Sequence, residues 1–288
     1  MLPFTILLAL LPHAEKPTLT EKLTPLIRAH QGQVAIAVKE LKTGETFLHN
    51  ADKVMPTASL CKLPILIEAF LQLDAKKIKL NDTITLREKD KVPGSGLLTK
   101  HFDDGSTFPF KTALHLMIAV SDNTATNLVL DKVGIRAVNA RMKSWGLNET
   151  RVNAKVFRGS TTSVDPKRTK LYGLGSTTAR EMLTLLTRIE EGKPFRPAIK
   201  QAILTFLKLT EDKKKFRRYL PSSVTLAHKT GSVSRARTDA GILYLNKTAV
   251  ILCVLTAKNK DRSWGNRNAG DLLCAKVAKV VYDHFRRD

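Results

Sequence analysis

The chain is organised around Thr57-Ala-Ser-Leu-Cys-Lys-Leu-Pro-Ile-Leu-Ile-Glu-Ala-Phe-Leu-Gln-Leu-Asp74, which predicts a strongly apolar helix over residues 59–74. Ser59 stands at the start of this helix, where the local positive potential favours the charge that develops on an attacked carbonyl group. Lys62 follows one turn later, so its amine can meet the Ser59 hydroxyl from the same face. A lysine acts as a general base only while it is neutral, a state that burial or a nearby cation favours.

Patterns on either side of this helix predict an α+β fold. Further helices are predicted at 110–121, 123–133, 178–191 and 197–209, and a long ordered loop at 152–177. Towards the two ends lie predicted helices at 18–30 and 268–285 and strands at 33–39, 46–49, 224–228, 240–246 and 248–257. This segregation favours one antiparallel sheet built from both termini and flanked by helices, rather than a doubly wound parallel sheet. The helical middle, about residues 57–210, then forms a second lobe.

Length and charge limit what the protein can be. Its 288 residues are 43% hydrophobic, which is enough for a substantial core, and we find neither an internal repeat nor a low-complexity linker. With 48 Lys and Arg against 26 Asp and Glu, the net charge of +22 suits nucleic acid, membranes or any other anionic partner. No nucleic-acid-binding module accompanies that charge, so we expect no specific nucleic-acid partner. The basic runs at 213–215 and 217–218 are most simply solvated charge.

The first residues are typical of an export signal. An apolar run over 1–12 is too short to span a bilayer, and Ala14 fits a cleavage site, although no positive charge precedes the run. We therefore expect a signal peptide at 1–14, with an uncleaved anchor as the alternative, and one two-lobed domain at 15–288. The protein would then be periplasmic or secreted, without another membrane-spanning segment.

The cysteines predict neither a disulfide scaffold nor a zinc site. Only three are present, and their spacing fits no zinc motif. We expect buried free thiols, with a Cys253–Cys274 bridge as the alternative.

A second polar motif, Ser121-Asp-Asn123, lies at the junction between two predicted helices. Ser121 could pass a proton between Lys62 and a leaving group, and Asn123 could bind a substrate amide. The alternative is that this tripeptide caps the following helix, since Ser, Asp and Asn are all favoured there.

A third motif, Lys229-Thr-Gly231, follows the apolar run 224–228 at the edge of a predicted strand. Lys229 would place a second cation near the first motif and so depress the pKa of Lys62. Gly231 would let a substrate backbone approach, and the N–H of Ser232 could complete an oxyanion hole with that of Ser59. The alternative is a strand that ends in a turn. A Ser-x-x-Lys motif alone is expected by chance about once in a chain of this length. The occurrence of all three motifs in this order is not expected by chance.

Other candidates surround the third motif. Arg235 and Arg237 could each bind a substrate carboxylate through paired N–H groups, and ordinary surface charge is the alternative. His228 adjoins Lys229 in a strand, so the two side chains are expected on opposite faces of the sheet. The histidines and cysteines form no ligand cluster, and we expect neither a metal ion nor a cofactor.

Together the three motifs resemble those of the class A β-lactamase family of penicillin-recognising serine hydrolases. The resemblance covers nearly the whole chain after residue 18 and includes Val92-Pro-Gly-Ser-Gly-Leu-Leu98 and Gly175-Ser-Thr-Thr-Ala-Arg-Glu-Met182. It implies a β-lactamase or DD-peptidase-like fold and a monomeric enzyme of antibiotic resistance. In such an enzyme a β-lactam carbonyl acylates the serine, and water then releases the product.

The resemblance also implies a role for each matching residue. Ser59 would be the nucleophile, with Lys62 and Ser121 as the proton-transfer pair. Lys229 and Thr230 would contact the substrate carboxylate. Asn123, Gly231, Ser232 and Arg237 complete the candidate substrate-binding set.

One departure from the family concerns release of the acyl group. The family's deacylating base is a Glu in an Ω-shaped loop, followed two residues later by Leu-Asn, and residues 158–177 contain neither. Asp165 is the sole acidic residue there and precedes Pro166, as the family's Glu often precedes Pro. Asp165 is therefore the candidate base, with a turn or helix-cap role as the alternative. The residues support acylation well and efficient deacylation poorly.

Three activities follow from these residues. The first is a β-lactamase that opens β-lactam rings through an acyl-enzyme on Ser59. The second is a D-Ala-D-Ala peptidase or transpeptidase that acts on peptidoglycan-like acyl-D-Ala groups. The third is a penicillin-binding protein that is acylated but deacylates poorly.

Overall fold

The structure, a computed structural model, describes residues 17–286, so the expected signal peptide at 1–14 lies outside the described residues. The helices are α1 (Leu19–Ala29), α2 (Lys62–Asp74), α3 (Leu98–His101), α4 (Phe110–Ala119), α5 (Asn123–Val133), α6 (Ile135–Ser144), α7 (Gly159–Thr162), α8 (Pro166–Tyr172), α9 (Ala179–Glu191), α10 (Pro197–Leu207) and α11 (Ala269–Phe285). The strands are β1 (Gln33–Glu40), β2 (Thr46–His49), β3 (Met55–Pro56), β4 (Thr83–Thr85), β5 (Thr107–Pro109), β6 (Arg151–Val152), β7 (Gly175–Thr177), β8 (Thr225–Val233), β9 (Ala236–Leu245) and β10 (Thr248–Ala257). Within residues 17–286, no helix is both long and apolar enough to cross a bilayer.

A five-stranded antiparallel sheet brings the two ends of the chain together in the order β2-β1-β10-β9-β8. Alternation along β1 directs Ile36 and Val38 towards the face covered by α1 and α11, and the smaller Ala35 and Ala37 towards α9. Both sets are fully buried, because each face of the sheet is covered by helices. The predicted α+β architecture, with a sheet built from both termini, is confirmed.

Helix α2 forms the centre of the helical lobe. Every residue from Lys62 to Phe70 is buried, and α2 packs against α4, α5, α6 and α10. A helix that is apolar around most of its circumference needs partners on all sides, so the lobe surrounds it. Phe70 meets Phe206 of α10 edge to face, with ring centroids 5.3 Å apart.

Several boundaries differ from the sequence predictions. Residues Ala58–Cys61 form a 3₁₀ turn, so the α-helix begins at Lys62 and not at Ser59. Helix α6 was not predicted, because its few apolar residues stand among Arg, Lys and Asn. The predicted loop at 152–177 contains the short elements α7, α8 and β7. Strand β8 continues through Lys229-Thr-Gly231 to Val233, so the alternative of a strand ending in a turn there is wrong.

All three cysteines are free and buried. Cys253 lies in the core cluster on the α9 side of the sheet, and Cys274 of α11 lies in the cluster on the other side. The sheet therefore separates the two thiols, and the alternative of a Cys253–Cys274 bridge is wrong. Burial raises the pKa of both thiols, which makes them poor nucleophiles.

The sheet and the helical lobe meet where β8 passes the turn that carries Ser59. A Cβ atom at Gly231 would lie 2.5 Å from the Thr57 carbonyl oxygen and 2.9 Å from the Leu60 backbone nitrogen. Backbone atoms cannot move aside as a flexible side chain does, so this approach requires glycine. The Thr238 hydroxyl donates to the same Thr57 carbonyl at 2.9 Å and holds the turn against the sheet.

We expect Gly231→Ala to lower the free energy of unfolding by about 1–3 kcal/mol, because the added methyl group must push the strand away from the turn. Urea denaturation followed by circular dichroism measures the change. Gly265→Ala is the control, since a Cβ atom there meets nothing within 4 Å. Equal stabilities of the two variants would contradict the close packing of β8 on the turn.

Candidate active site

A cleft of about 860 Å³ contains most of the predicted site residues. The 3₁₀ turn before α2 contributes Ser59, and the junction between α4 and α5 contributes Ser121 and Asn123. Residues 229–234 of the β8–β9 hairpin form another wall. Three segments that lie far apart in the sequence therefore meet in one cleft.

The hydroxyl of Ser121 lies between two buried amines. Lys62 Nζ and Lys229 Nζ are each 3.1 Å from Ser121 Oγ. The Lys62 amine also donates to the Ser121 carbonyl at 2.6 Å and to Asn123 Oδ1 at 3.0 Å. Lys62 is 0% exposed and Lys229 is 1% exposed. A hydrogen-bonded path thus runs from Lys62 through Ser121 to Lys229.

Burial changes the acidity of both amines. Burial first, and the charge of Lys229 second, lower the pKa of Lys62 to about 7. Burial also lowers the pKa of Lys229 to about 8, while the nearby carboxylates of Asp212 and Asp239 act in the opposite direction. A substantial fraction of Lys62 is therefore neutral near pH 7, which is the state that a general base requires.

Ser121 is held in place by an uncommon backbone conformation. Its φ of 57° lies in the left-handed region, which residues other than glycine seldom adopt. The next residue, Asp122, caps α5 by accepting the Ala125 N–H at 2.8 Å through Oδ1. Its Oδ2 accepts the N–H groups of Leu97 and Leu98 at 2.7 and 2.9 Å. The capping alternative is thus right for Asp122, while Ser121 and Asn123 line the cleft.

The loop at 92–98 supplies further contacts to this motif. Ser95 Oγ donates to the Ser121 carbonyl at 2.7 Å, and Asn123 Nδ2 donates to the Pro93 carbonyl at 3.1 Å. Ser95 lines the cleft and is not among the predicted site residues. Its one signal was its place in the Val92–Leu98 segment that resembles a family loop.

The other residues of the third motif share the cleft with Ser59. Thr230, Gly231 and Ser232 line it from β8, and Ser59 and Ser232 are half-buried. The close approach at Gly231 brings Ser232 and the Ser59 turn to the same end of the cleft.

Arg237 is not among the residues that line the cleft. It is 1% exposed, and its guanidinium donates to the Val233, Ala236 and Ser263 carbonyls. It also lies 4.7 Å from the centre of the Trp264 ring. Because Arg237 is buried and its two terminal nitrogens donate to backbone carbonyls, the structure does not present it to a substrate carboxylate.

Asp165 lies outside the cleft as well. Its Oδ1 accepts the backbone N–H of Arg168 at 3.0 Å and so caps α8. The helix-cap alternative therefore describes the position of Asp165.

His228 points away from Lys229, as the alternation of a strand predicts. Its Nδ1 lies 2.9 Å from Asp239 Oδ1, and its ring stacks on Phe216. Among residues 17–286, no group of three His, Cys, Asp or Glu side chains is arranged to hold a metal ion.

The cleft also contains residues that no periodic pattern predicts, because they lie in irregular segments. Phe157 and Trp264 are both 62% exposed at its mouth. Glu211 and Asp212 line it as well, and the Asp212 carboxylate acts on Lys229. Leu174 enters from the segment before β7.

Comparisons with known proteins place the whole described domain in one family. The family model described as the beta-lactamase enzyme family matches residues 18–285. A β-lactamase of Streptomyces cellulosae is 30% identical over 280 residues, which are 93% of this chain and 85% of that protein. The β-lactamase structure from Sphaerobacter thermophilus has a TM-score of 0.81 and 27% identity, covering 92% of this chain and 97% of that one. A mutant of PBP-A, in an acyl-enzyme complex with penicillin G, has a TM-score of 0.80 and 25% identity, covering 93% and 95% of the two chains.

We expect Asp122→Ala to lower the free energy of unfolding by about 2–4 kcal/mol, because three backbone N–H donors lose their acceptor. Urea denaturation measures the loss. Asp131→Ala is the matched control, since Asp131 is exposed on the same helix. If Asp122→Ala were as stable as Asp131→Ala, Asp122 would not anchor the loop at 92–98.

Proposed function

This chain belongs to the class A branch of the β-lactamase enzyme family and is a serine β-lactam hydrolase; from that premise we propose that Ser59 is its nucleophile. One observation carries the proposal: in the cleft that Ser59 lines, the Ser121 hydroxyl lies 3.1 Å from the amines of both Lys62 and Lys229. A serine in a cleft with a buried, partly neutral amine one turn away has the parts that nucleophilic catalysis needs.

In the proposed acylation, Lys62 acts as the general base. Its neutral Nζ takes the Ser59 proton while Ser59 Oγ bonds to the lactam carbonyl carbon. The backbone N–H groups of Ser59 and Ser232 stabilise the oxyanion. The C–N bond then breaks, and its electron pair stays on the lactam nitrogen. That nitrogen takes a proton from Ser121, which takes one from Lys62, so that the amine is neutral again.

Other cleft residues position the substrate in this proposal. Lys229 and Thr230 bind the substrate carboxylate, a group that a buried ammonium favours strongly. Asn123 Oδ1 accepts a hydrogen bond from the Lys62 amine, and Asn123 lines the cleft, so Asn123 orients Lys62 and binds the acyl amide.

Release of the acyl group is the slow step in this proposal. Opposite β8, the cleft is lined by Val156, Phe157 and Leu174, none of which can activate water. The carboxylates among the lining residues are those of Glu211 and Asp212, which come from the segment after α10, and Asp212 acts on Lys229 instead. With no carboxylate on the loop side of the described cleft, Lys62 is the base that activates the hydrolytic water.

The apolar lining by Val156, Phe157 and Leu174 also favours a second candidate function. An enzyme with slow release would be a D-Ala-D-Ala peptidase or transpeptidase on peptidoglycan-like groups, or a penicillin-binding protein. PBP-A, which resembles this chain, forms an acyl-enzyme complex with penicillin G in mutant form. Action in the periplasm or outside the cell suits either function, and the apolar run at 1–12 supports it.

Intact-mass spectrometry with benzylpenicillin, combined with a product assay, tests this proposal. We expect an adduct on Ser59 that forms quickly and decays slowly, and none on Ser59→Ala. The exposed Ser144→Ala variant serves as the matched control and should behave like the wild type. Asp165→Asn should release product at the wild-type rate, because this side chain lies outside the cleft. The absence of both adduct and hydrolysis with several β-lactams would rule out the Ser59 mechanism.

The rate of acylation should rise as the pH increases through about 7 and fall again as it increases through about 8. The rise follows because Lys62 can accept the Ser59 proton only after losing its own, and the fall follows because Lys229 loses the charge that binds the substrate carboxylate. Quenched-flow mass spectrometry between pH 5 and 9 measures this profile. A rate that does not change with pH over this range would exclude Lys62 as the base.

A further inference from the structure

A second cavity of about 700 Å³ adjoins the catalytic cleft. Phe157, Leu174, Val233 and Ser234 line both spaces, so the two are continuous. Ala58, which directly precedes Ser59, also lines the second cavity. A group attached to the acyl carbon on Ser59 can therefore extend into it.

The walls of this side cavity are mainly apolar. The segment at 154–174 contributes Leu171 and Tyr172, and the sheet side contributes Pro56, Ala236 and Ala257. Leu171 is 70% exposed and Phe157 is 62% exposed. Large apolar side chains exposed together around a cavity indicate a binding site for an apolar group.

The charged residues of the side cavity are all cationic. Lys155, Arg235 and Lys258 line it, and no Asp or Glu does so among the described residues. Lys155 pairs with Asp131, whereas Arg235 and Lys258 form no ion pair within residues 17–286. The Asn259 backbone N–H donates to the Arg235 carbonyl at 3.0 Å, which holds Arg235 beside the segment that carries Lys258.

The catalytic cleft itself is lined by two carboxylates, those of Glu211 and Asp212, whereas no carboxylate lines the side cavity among the described residues. An acyl group with an anionic end therefore meets cations without neighbouring carboxylates in the side cavity, where Arg235 and Lys258 attract it.

We propose that the side cavity binds the acyl side chain of an extended substrate, one in which an apolar stem ends in a carboxylate. The inference rests on the proposed acylation of Ser59 and adds the class of acyl group that the enzyme prefers. The apolar walls bind the stem, and Arg235 and Lys258 bind the carboxylate. Burial of the stem supplies affinity, and the two cations supply selectivity.

Two penicillins that differ only at the end of the side chain test the inference. One carries a hexanedioyl (adipoyl) group on the 6-amino nitrogen, and the other carries its monomethyl ester. We expect the second-order rate constant for acylation to be roughly threefold to tenfold higher for the free acid at low ionic strength. In 0.5 M salt the preference should shrink, since exposed charges are screened.

The Arg235→Gln/Lys258→Gln double variant should lose the preference while acylation by the ester stays unchanged. Lys213→Gln/Lys214→Gln removes the same charge elsewhere and should keep the preference, because these exposed lysines do not line the side cavity. Equal rates with acid and ester in the wild type, or a preference that survives Arg235→Gln/Lys258→Gln, would overturn the inference. If benzylpenicillin acylates Ser59 in the same assay, the proposed function stands even then. If no penicillin acylates Ser59, both proposals are wrong.

Discussion

Two lysine amines buried on either side of one serine hydroxyl impose the main physical constraint on this protein. Each amine lies 3.1 Å from the Ser121 hydroxyl and is buried, so two full positive charges on them would repel each other strongly. The pair relieves that repulsion by giving up a proton, and Lys62 gives it up first because fewer carboxylates act on it. The lowered pKa of Lys62, on which its proposed role as a base depends, thus follows from its burial in the fold beside Lys229.

The rest of the structure keeps this arrangement rigid. Helix α2 holds Lys62 inside the helical lobe, and β8 brings Lys229 to it across the contact at Gly231. Asp122 and the left-handed backbone of Ser121 place the shared hydroxyl between the two amines. A shift of any one of these elements by an ångström would break a hydrogen bond in the path.

A second set of buried charges lies beneath the cleft. Lys215 is 1% exposed, and its Nζ is 2.8 Å from Asp212 and 3.4 Å from Asp271. Asp271 also faces Arg237, at 3.4 Å from its Nε. Asp212 favours the charged form of Lys229, and Lys215 opposes it. Arg237 therefore belongs to a buried network of charged side chains. Its position in the sequence, close to the third motif, did not indicate this structural role.

The sequence predicted the parts of this molecule that are governed by periodicity and by short motifs. Strand β10 follows from a β-branched, apolar run, and Ser59, Ser121 and Lys229 follow from three short motifs. It could not separate Asp165 as a base from Asp165 as a cap, because a carboxylate before proline suits both. The side cavity depends on the path of an irregular segment past a hairpin, which no local pattern specifies.

Titration of the Lys62 amine is the decisive measurement for this pair of buried lysines. In protein with isotope-labelled lysines, the side-chain resonance that disappears in Lys62→Met identifies this amine by nuclear magnetic resonance. The account predicts a pKa of about 7 and an increase when Lys229→Gln removes the neighbouring charge. A Lys62 amine that titrates near its ordinary value of 10.5, and does not respond to Lys229→Gln, would contradict the account.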